Sequence, residues 1–338
     1  MKTRLPNWAV LVIALAAGGL VQLAVTLGVV NAYIALIFTY MCIQIISSLG
    51  LNIIYGFTDQ FSLGHAAFVG LGAYTAAIMT HYLGETPWMF ALALLGGGLL
   101  AASVGYLVGL PILRLRSDYL GIATLGFGII VRVFFENSDK IIPITSGARG
   151  MTGIANLTTF LWAYILLLLA ILVARNLRFS SQGRACFSIR EDETASNLMG
   201  IDVVRYKTLA FVLGCFYAGV AGGLYAHAYC FLHPSSFDFI KSFDPLLIVV
   251  LGGLGSISGT IIAGAAWVGV LESLRMVLPP DILEWRYVIY PVVLIVMMLS
   301  RPQGIFGTSE FRFFMPKRPA APVPVADTSG VQADGAHS

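Results

Sequence analysis

Residues 183–211 read GRACFSIREDETASNLMGIDVVRYKTLAF, a polar stretch in a chain that elsewhere carries little charge. The 338 residues include 20 Lys and Arg and 17 Asp and Glu, and eight of these charges lie between Arg184 and Lys207. The stretch separates two long parts of the chain that are mostly apolar. Any fold of this sequence must therefore present one short water-facing segment between segments that avoid water.

The composition of the whole chain identifies an integral membrane protein. Hydrophobic residues make up 58% and charged residues 11% of the sequence, whereas soluble domains have about 25% charged residues. The net charge of +3 gives no reason to expect a nucleic acid partner. The cysteines lack the paired spacing of a disulfide framework or a zinc site, so we expect neither a metal nor a cofactor. They are Cys42, Cys186, Cys215 and Cys230.

Ten apolar runs predict an all-α protein with about ten transmembrane helices, because helices satisfy their own backbone hydrogen bonds in lipid. Most of the runs are long enough to cross a hydrocarbon core of about 30 Å. The eighth run is too short to cross the hydrocarbon core. Together with the glycines that follow it, this run predicts a short or broken helix near residues 245–259. The runs are Trp8–Gly28, Ala32–Tyr55, Gly64–Leu83, Trp88–Leu110, Tyr119–Phe135, Leu157–Ala174, Thr208–Cys230, Pro245–Leu254, Ile257–Leu278 and Tyr287–Ser300.

The distribution of Lys and Arg predicts the orientation. With ten crossings and a cytoplasmic N-terminus, most of these cations fall on the cytoplasmic side, as the positive-inside rule requires. Both termini are then cytoplasmic, in a bacterial inner membrane. We predict a transmembrane domain over residues 1–307 and a disordered cytoplasmic tail over residues 308–338, because the sequence after Met315 is rich in Pro, Ala and small polar residues.

The polar stretch is predicted to form a helix on the cytoplasmic side. Residues 188–199 lack Gly and Pro, the acidic residues 191–193 lie near the start, and Gly200 follows as a stop signal. Ile189, Leu198 and Met199 would form an apolar ridge. Two interpretations remain open: a solvated connector, or a helix that docks onto a cytoplasmic partner.

Several polar residues in or near the predicted spans are candidates for a transport pathway. Gln60, Ser62 and His65 lie in YGFTDQFSLGHAAF (residues 55–68), which forms either a turn or a re-entrant segment. Thr124 lies in the fifth run. Arg132 either pairs with Glu136 four residues later or meets a carboxylate at the outer mouth of the pathway.

Six stretches resemble, in the same order, segments of the LivM-type permeases, the membrane subunits of branched-chain amino acid ABC importers. The resemblance covers about residues 32–307. The stretches are LNIIYGFTDQFSLGHAAFVGLGAY (51–74), YLGIATLGFGIIVR (119–132), TSGARGMTGI (145–154), GRACFSIREDETASNLMGIDVVRYKTLAFVLGCFYAGVAGGLYA (183–226), VVLGGLGSISGTIIAGA (249–265) and RPQGIFG (301–307).

The resemblance implies a set of partners and a coupling helix. The partners are a second related permease, two cytoplasmic ATPase subunits and an external substrate-binding protein, with lipid around the spans. In such importers a cytoplasmic loop of the form E-A-A-x-x-x-G docks onto an ATPase, and Thr194 replaces the Glu of that pattern here. The residues expected at the ATPase contact are Arg190, Glu191, Asp192, Glu193, Thr194, Ala195, Met199 and Gly200.

Motifs for nucleotide binding and for hydrolysis are lacking. The sequence has no G-x-x-x-x-G-K-[ST], H-E-x-x-H or G-x-S-x-G pattern, so we expect a transport subunit whose partners hydrolyse ATP. The expected cargo is a branched-chain amino acid or a similar small polar metabolite. The alternatives are a channel or gradient-driven carrier, and the same permease type importing urea, amides or aromatic acids.

Overall fold

The computed structural model describes residues 7–28, 30–113, 117–277, 292, 295–296, 299–300, 304–307 and 310. Regular secondary structure within these residues is helical, as predicted. The α-helices are α1 (Asn7–Thr26), α2 (Ala32–Leu51), α3 (His65–Leu83), α4 (Pro87–Ile112), α5 (Ser117–Glu136), α6 (Phe160–Phe179), α7 (Ser181–Glu191), α8 (Glu193–Leu198), α9 (Val203–Tyr229), α10 (Phe243–Gly252) and α11 (Ile257–Val277).

Six helical segments of the described residues are long and apolar enough to cross a membrane, and all six coincide with predicted runs. They are Ala32–Gly56, His65–Leu83, Pro87–Ile112, Tyr119–Glu136, Phe160–Phe179 and Val203–Tyr229. Helix α1 matches the first predicted run. The last predicted run, 287–300, lies largely outside the described residues, so the total of ten spans stays a prediction.

Helix α9 lies at the centre of the bundle and packs against α2, α3 and α4. Glycines bring the backbones of these helices together, since they carry no side chain at the crossing. A Cβ atom on Gly219 would lie only 2.7 Å from the carbonyl oxygen of Gly97. The small-residue spacing in this helix therefore serves close helix packing inside the chain.

The predicted break near 245–259 is confirmed. Helix α10 has ten residues, about 15 Å at the usual rise of an α-helix, which is half of a bilayer core. The chain then leaves the helix with Gly253 at φ 109° and Gly255 at φ 80°. Both values are in the region that favours glycine, and α11 begins two residues later.

The single helix predicted over 188–199 is wrong, because the structure has two helices that meet at Asp192. Asp192 is extended (φ −156°, ψ 111°), and its Oδ1 accepts a hydrogen bond from the Ala195 amide at 2.9 Å. Aspartate is a preferred N-cap residue, so it ends α7 and starts α8. A hydrogen bond of 2.8 Å between the Ser188 and Ser196 hydroxyl groups joins the two helices.

The predicted stop at Gly200 is confirmed, whereas the predicted ridge is only partly correct. Gly200 has φ 84°, its amide donates to the Asn197 carbonyl, and the Ile201 amide donates to the Ser196 carbonyl. This pair of bonds is a Schellman motif. Ile189 does not join Leu198 and Met199 on the surface, since it is buried.

The division into a membrane domain and a tail after residue 307 stays a prediction. Glu310, three residues past that boundary, is buried against α11. The folded part therefore includes Glu310. Residues 311–338 lie outside the described residues, and their disorder stays a prediction.

Candidate functional site

The segment formed by α7 and α8, here called the coupling segment (residues 181–200), presents a mixed polar and apolar surface. Its polar exposed face ends in two large apolar side chains, Leu198 at 84% and Met199 at 83% exposure. Among the predicted contact residues, Arg190 is half-buried, and the exposed ones are Glu191, Asp192, Glu193, Thr194, Ala195, Met199 and Gly200.

Arg190 ties the coupling segment to the interior of the bundle. Its Nη1 donates to the carbonyl oxygens of Gly56 at 2.8 Å and Leu254 at 3.2 Å. Gly56 ends the π-helical turn that follows α2, and Leu254 lies in the break between α10 and α11. The Arg190 side chain therefore bonds to two irregular backbone segments of the membrane domain, the π-helical turn and the break.

A second link runs from α8. Glu193 Oε2 pairs with Lys207 Nζ at 2.5 Å, and Lys207 lies in the first turns of α9. The backbone carbonyl of Lys207 accepts a hydrogen bond from Gln60 Nε2 at 3.1 Å. The coupling segment therefore contacts the central helix α9, and α9 in turn bonds to the buried polar segment before α3.

Asn52 connects the π-helical turn Asn52–Gly56 to the break. Its Nδ2 donates to the Ser256 carbonyl at 3.1 Å and to Thr260 Oγ1 at 3.0 Å, and its Oδ1 accepts from the Gly255 amide at 2.8 Å. An amide side chain with both ends bonded fixes the distance between these backbones. Turns of this π type are frequent at functional sites.

Glu310 and Arg178 complete the support of the break. The Glu310 carboxylate accepts from the amides of Ile257 at 2.6 Å and Ser258 at 3.1 Å, a favourable place for an anion at the start of α11. It also pairs with Arg178 Nη1 at 2.6 Å, and the same nitrogen donates to the Gly255 carbonyl. We call Asn52, Arg178, Arg190 and Glu310 the inner cluster.

Sequence reasoning missed three of these four residues. In the sequence Asn52 lies within an apolar run, Arg178 lies among basic residues, and Glu310 lies in the predicted tail. Asn52 does give a signal in the sequence, since it is a polar residue within an apolar run. A polar side chain in such a place is buried only when it is hydrogen-bonded.

Two titratable groups report the environment around the coupling segment. Partial burial raises the pKa of the Asp59 carboxyl, while the charges of Arg190 and then Lys207 act in the opposite direction. Burial raises the pKa of the Cys186 thiol in α7 to about 11. The inward face of α7 is therefore packed against protein and shielded from solvent.

The pathway candidates Gln60, Ser62, His65 and Thr124 are buried. The chain turns back after Thr58, so that His65 Nε2 lies 2.9 Å from the Ser47 carbonyl. Thr124 Oγ1 accepts from the Leu63 amide at 3.1 Å. These contacts enclose the polar segment within protein, and a role in transport stays a prediction for all four residues.

Arg132 makes the predicted pair with Glu136, at 2.9 Å. A second carboxylate, Asp238, lies 2.7 Å from the Arg132 Nη1. The guanidinium therefore joins α5 to the segment between α9 and α10. Its proposed encounter with a substrate carboxylate stays a prediction.

Comparison with known proteins assigns the chain to a family. Residues 33–298 match the family model described as "Branched-chain amino acid transport system / permease component". The chain is 36% identical over 301 residues to LivM of Escherichia coli K12, a high-affinity branched-chain amino acid transport system permease protein, covering 79% of this chain and 68% of the relative.

Relatives of lower identity have the same permease description. LivH of Salmonella typhimurium LT2 is 27% identical over 285 residues, and BraD of Pseudomonas aeruginosa PAO1 is 26% identical over 283 residues. Each alignment covers 78% of this chain and 91% of the relative, and both relatives carry the same permease description. No solved structure matches the chain. The chain is a multi-pass membrane protein that belongs to the family of branched-chain amino acid transport permeases and resembles its LivM members.

Proposed function

We propose that this chain is one permease subunit of an ATP-driven importer in a bacterial inner membrane, and that the coupling segment receives the motion of a cytoplasmic ATPase. The relatives are branched-chain amino acid transport permeases, so a branched-chain amino acid is the proposed cargo. A second related permease, two ATPase subunits and an external binding protein are the proposed partners. Both termini are proposed to be cytoplasmic.

The observation that carries the proposal is that one segment combines an exposed surface with polar links to the helix bundle. Leu198 and Met199 offer an apolar contact surrounded by charges, which is the usual composition of a specific docking site. Arg190, which is half-buried, and Glu193, which is exposed, bond to the bundle. A partner that moves the coupling segment therefore also moves the groups to which it is tied.

The proposed path of motion leads to the break between α10 and α11. Coupling between distant sites needs an element with two discrete arrangements. The break and the π-helical turn are irregular, and side chains of the inner cluster supply part of their hydrogen bonds. Side-chain bonds of this kind can exchange partners more easily than the bonds of a regular helix. A shift of α7 acts on the break through Arg190 first.

Replacement of Gly200 tests the proposal. Gly200→Leu adds a bulky side chain at φ 84°, with no neighbouring atom within 4 Å, so the added bulk projects from the exposed end of the coupling segment. Gly28→Leu is the matched control, because Gly28 has φ 73° and an equally open surrounding. The assembled importer is reconstituted in liposomes, and ATP hydrolysis and uptake of labelled leucine are measured together.

We expect Gly200→Leu to lower the leucine taken up per ATP by about tenfold, the usual effect of losing one well-packed contact at an interface. Gly28→Leu should retain the ratio of the unmodified importer. An unchanged ratio in Gly200→Leu would contradict the proposal. Leucine flux through the chain without ATPase subunits would instead favour the gradient-driven carrier.

A further inference from the structure

Asp59 holds a backbone conformation that glycine usually supplies. Its φ is 54°, in the left-handed region, where residues other than glycine are uncommon. The Asp59 amide donates to the Tyr55 carbonyl at 3.0 Å, and the Gln60 amide donates to the Ile54 carbonyl at 3.4 Å. A nested pair of bonds of this kind closes a helical segment at a left-handed residue. Here it closes the π-helical turn Asn52–Gly56.

The chain uses glycine for the same purpose at the end of α8. Gly200 has φ 84°, and nested backbone bonds close the helix there as well. Glycine adopts such a conformation without steric cost. The aspartate after the π-helical turn therefore needs a reason other than the shape of the turn, and residues held in strained conformations are found mostly at functional sites.

The neighbours of Asp59 in the chain bond to both links described above. Gly56, three residues earlier, accepts from Arg190 Nη1 at 2.8 Å. Gln60, the next residue, donates from its side chain to the Lys207 carbonyl at 3.1 Å. Asp59 therefore lies between the two points where α7 and α9 bond to this segment, and it is exposed.

Asp59 also places a negative charge beside these two cations. Arg190 donates to neutral carbonyl oxygens, on Gly56 and Leu254, which do not balance its charge. Burial raises the pKa of the Asp59 carboxyl, and Arg190 and then Lys207 act on this pKa in the opposite direction, so both cations attract the carboxylate. Glycine at position 59 would keep the turn and lose this attraction.

We propose that Asp59 is a positioning residue for coupling: its carboxylate holds the Arg190 and Lys207 side chains against the π-helical turn, so that a displacement of α7 reaches the break. The inference rests on the proposed function, because it assumes that an ATPase moves the coupling segment. It adds a residue outside that segment, and it gives the reason why aspartate stands where glycine would make the same turn.

Asp59→Gly separates the charge from the backbone conformation. The midpoint of thermal unfolding in detergent should change little, because the relief of strain offsets the lost attraction. In the assembled importer in liposomes, we expect the leucine taken up per ATP to fall about fivefold, within the range by which single residues change coupling. Asp59→Asn should cause the same fall, since asparagine also tolerates the left-handed region and lacks only the charge.

Ser146→Gly is the matched control. Ser146 has φ 53° and lies in the connection between α5 and α6, so its replacement relieves the same strain without a change near the coupling segment. The leucine taken up per ATP should equal that of the unmodified importer.

A second comparison tests whether Asp59 acts through Arg190. Residues that act through one another have non-additive effects. Asp59→Asn should therefore lower the leucine taken up per ATP by a smaller factor in an importer that already carries Arg190→Gln than in the unmodified one.

Three results would overturn the inference: an unchanged ratio in Asp59→Gly, a fall in Asp59→Gly that Asp59→Asn does not share, or equal factors with and without Arg190→Gln. Gly200→Leu separates these failures from failure of the proposed function. A fall in Gly200→Leu without a fall in the Asp59 variants refutes only the role of Asp59. An unchanged ratio in all of these variants refutes the proposed function as well.

Discussion

At the scale of single residues, Glu310 shows how one carboxylate can hold an irregular piece of backbone. Its side chain is 1% exposed, accepts hydrogen bonds from two backbone amides and one hydroxyl group, and forms an ion pair with Arg178. The Arg178 side chain is itself only 11% exposed. Loss of the negative charge therefore leaves a cation in a poorly hydrated place, which is costly.

We expect Glu310→Gln to lower the free energy of unfolding by about 3 kcal/mol, the range for breaking a buried ion pair. Thermal unfolding in detergent measures the change. Glu136→Gln is the control, since Glu136 is 33% exposed and Arg132 keeps Asp238 as a partner; its effect should stay within about 1 kcal/mol. Similar effects of the two substitutions would contradict the assigned role of Glu310.

Cys186 reports on the packing of the inward face of α7. Because burial raises the pKa of its thiol to about 11, the thiol stays protonated at neutral pH, and only the thiolate reacts. In a variant with Cys186 as the single cysteine, maleimide labelling should be roughly a hundredfold slower than that of a free thiol of pKa about 8.5. The rate should rise as the pH approaches 11.

The control for this experiment is Thr194→Cys in the same background without Cys186, because Thr194 is exposed on α8. This thiol should react at the rate of a free cysteine. Fast labelling of Cys186 at neutral pH would mean that α7 separates from the bundle in the native protein.

At the scale of helices, the main feature is that α7 and the break between α10 and α11 are joined by one side chain. The Arg190 guanidinium donates to the Leu254 carbonyl in the break and to the Gly56 carbonyl in the π-helical turn after α2. A rigid link of this kind transmits a displacement better than apolar contacts, because its hydrogen bonds fix direction as well as distance.

We expect Arg190→Gln to preserve ATP hydrolysis by the assembled importer and to lower leucine uptake about fivefold, within the range by which single residues change coupling. Arg184→Gln is the control within the same helix. Arg184 is exposed, and its Nη1 donates to the nearby Phe179 carbonyl at 3.2 Å rather than to the break. Equal uptake in both variants would show that motion does not pass through Arg190.

At the scale of the whole molecule, the parts that sequence predicted are those fixed by local chemistry. Apolar runs of spanning length became helices because lipid leaves no other way to satisfy the backbone, and Gly200 and Gly253 ended helices because they reach positive φ. The pairing of Arg132 with Glu136 followed from helical spacing alone. These features need no knowledge of distant contacts.

The parts that sequence could not predict depend on residues far apart in the chain. Asn52 meets residues 255–260 and Arg178 meets Glu310 only after the bundle has formed. Asp192 is a local capping signal, but the acidic run 191–193 equally suits the first turn of a single helix.

Site-specific photo-crosslinking detects contact between the coupling segment and an ATPase subunit. A benzophenone amino acid replaces Met199, or Trp88, which is 82% exposed at the start of α4, and the assembled importer is illuminated. We predict an adduct between position 199 and the ATPase, and none from position 88. Absence of the adduct at 199 while the complex remains assembled, or equal adducts at both positions, would contradict the account.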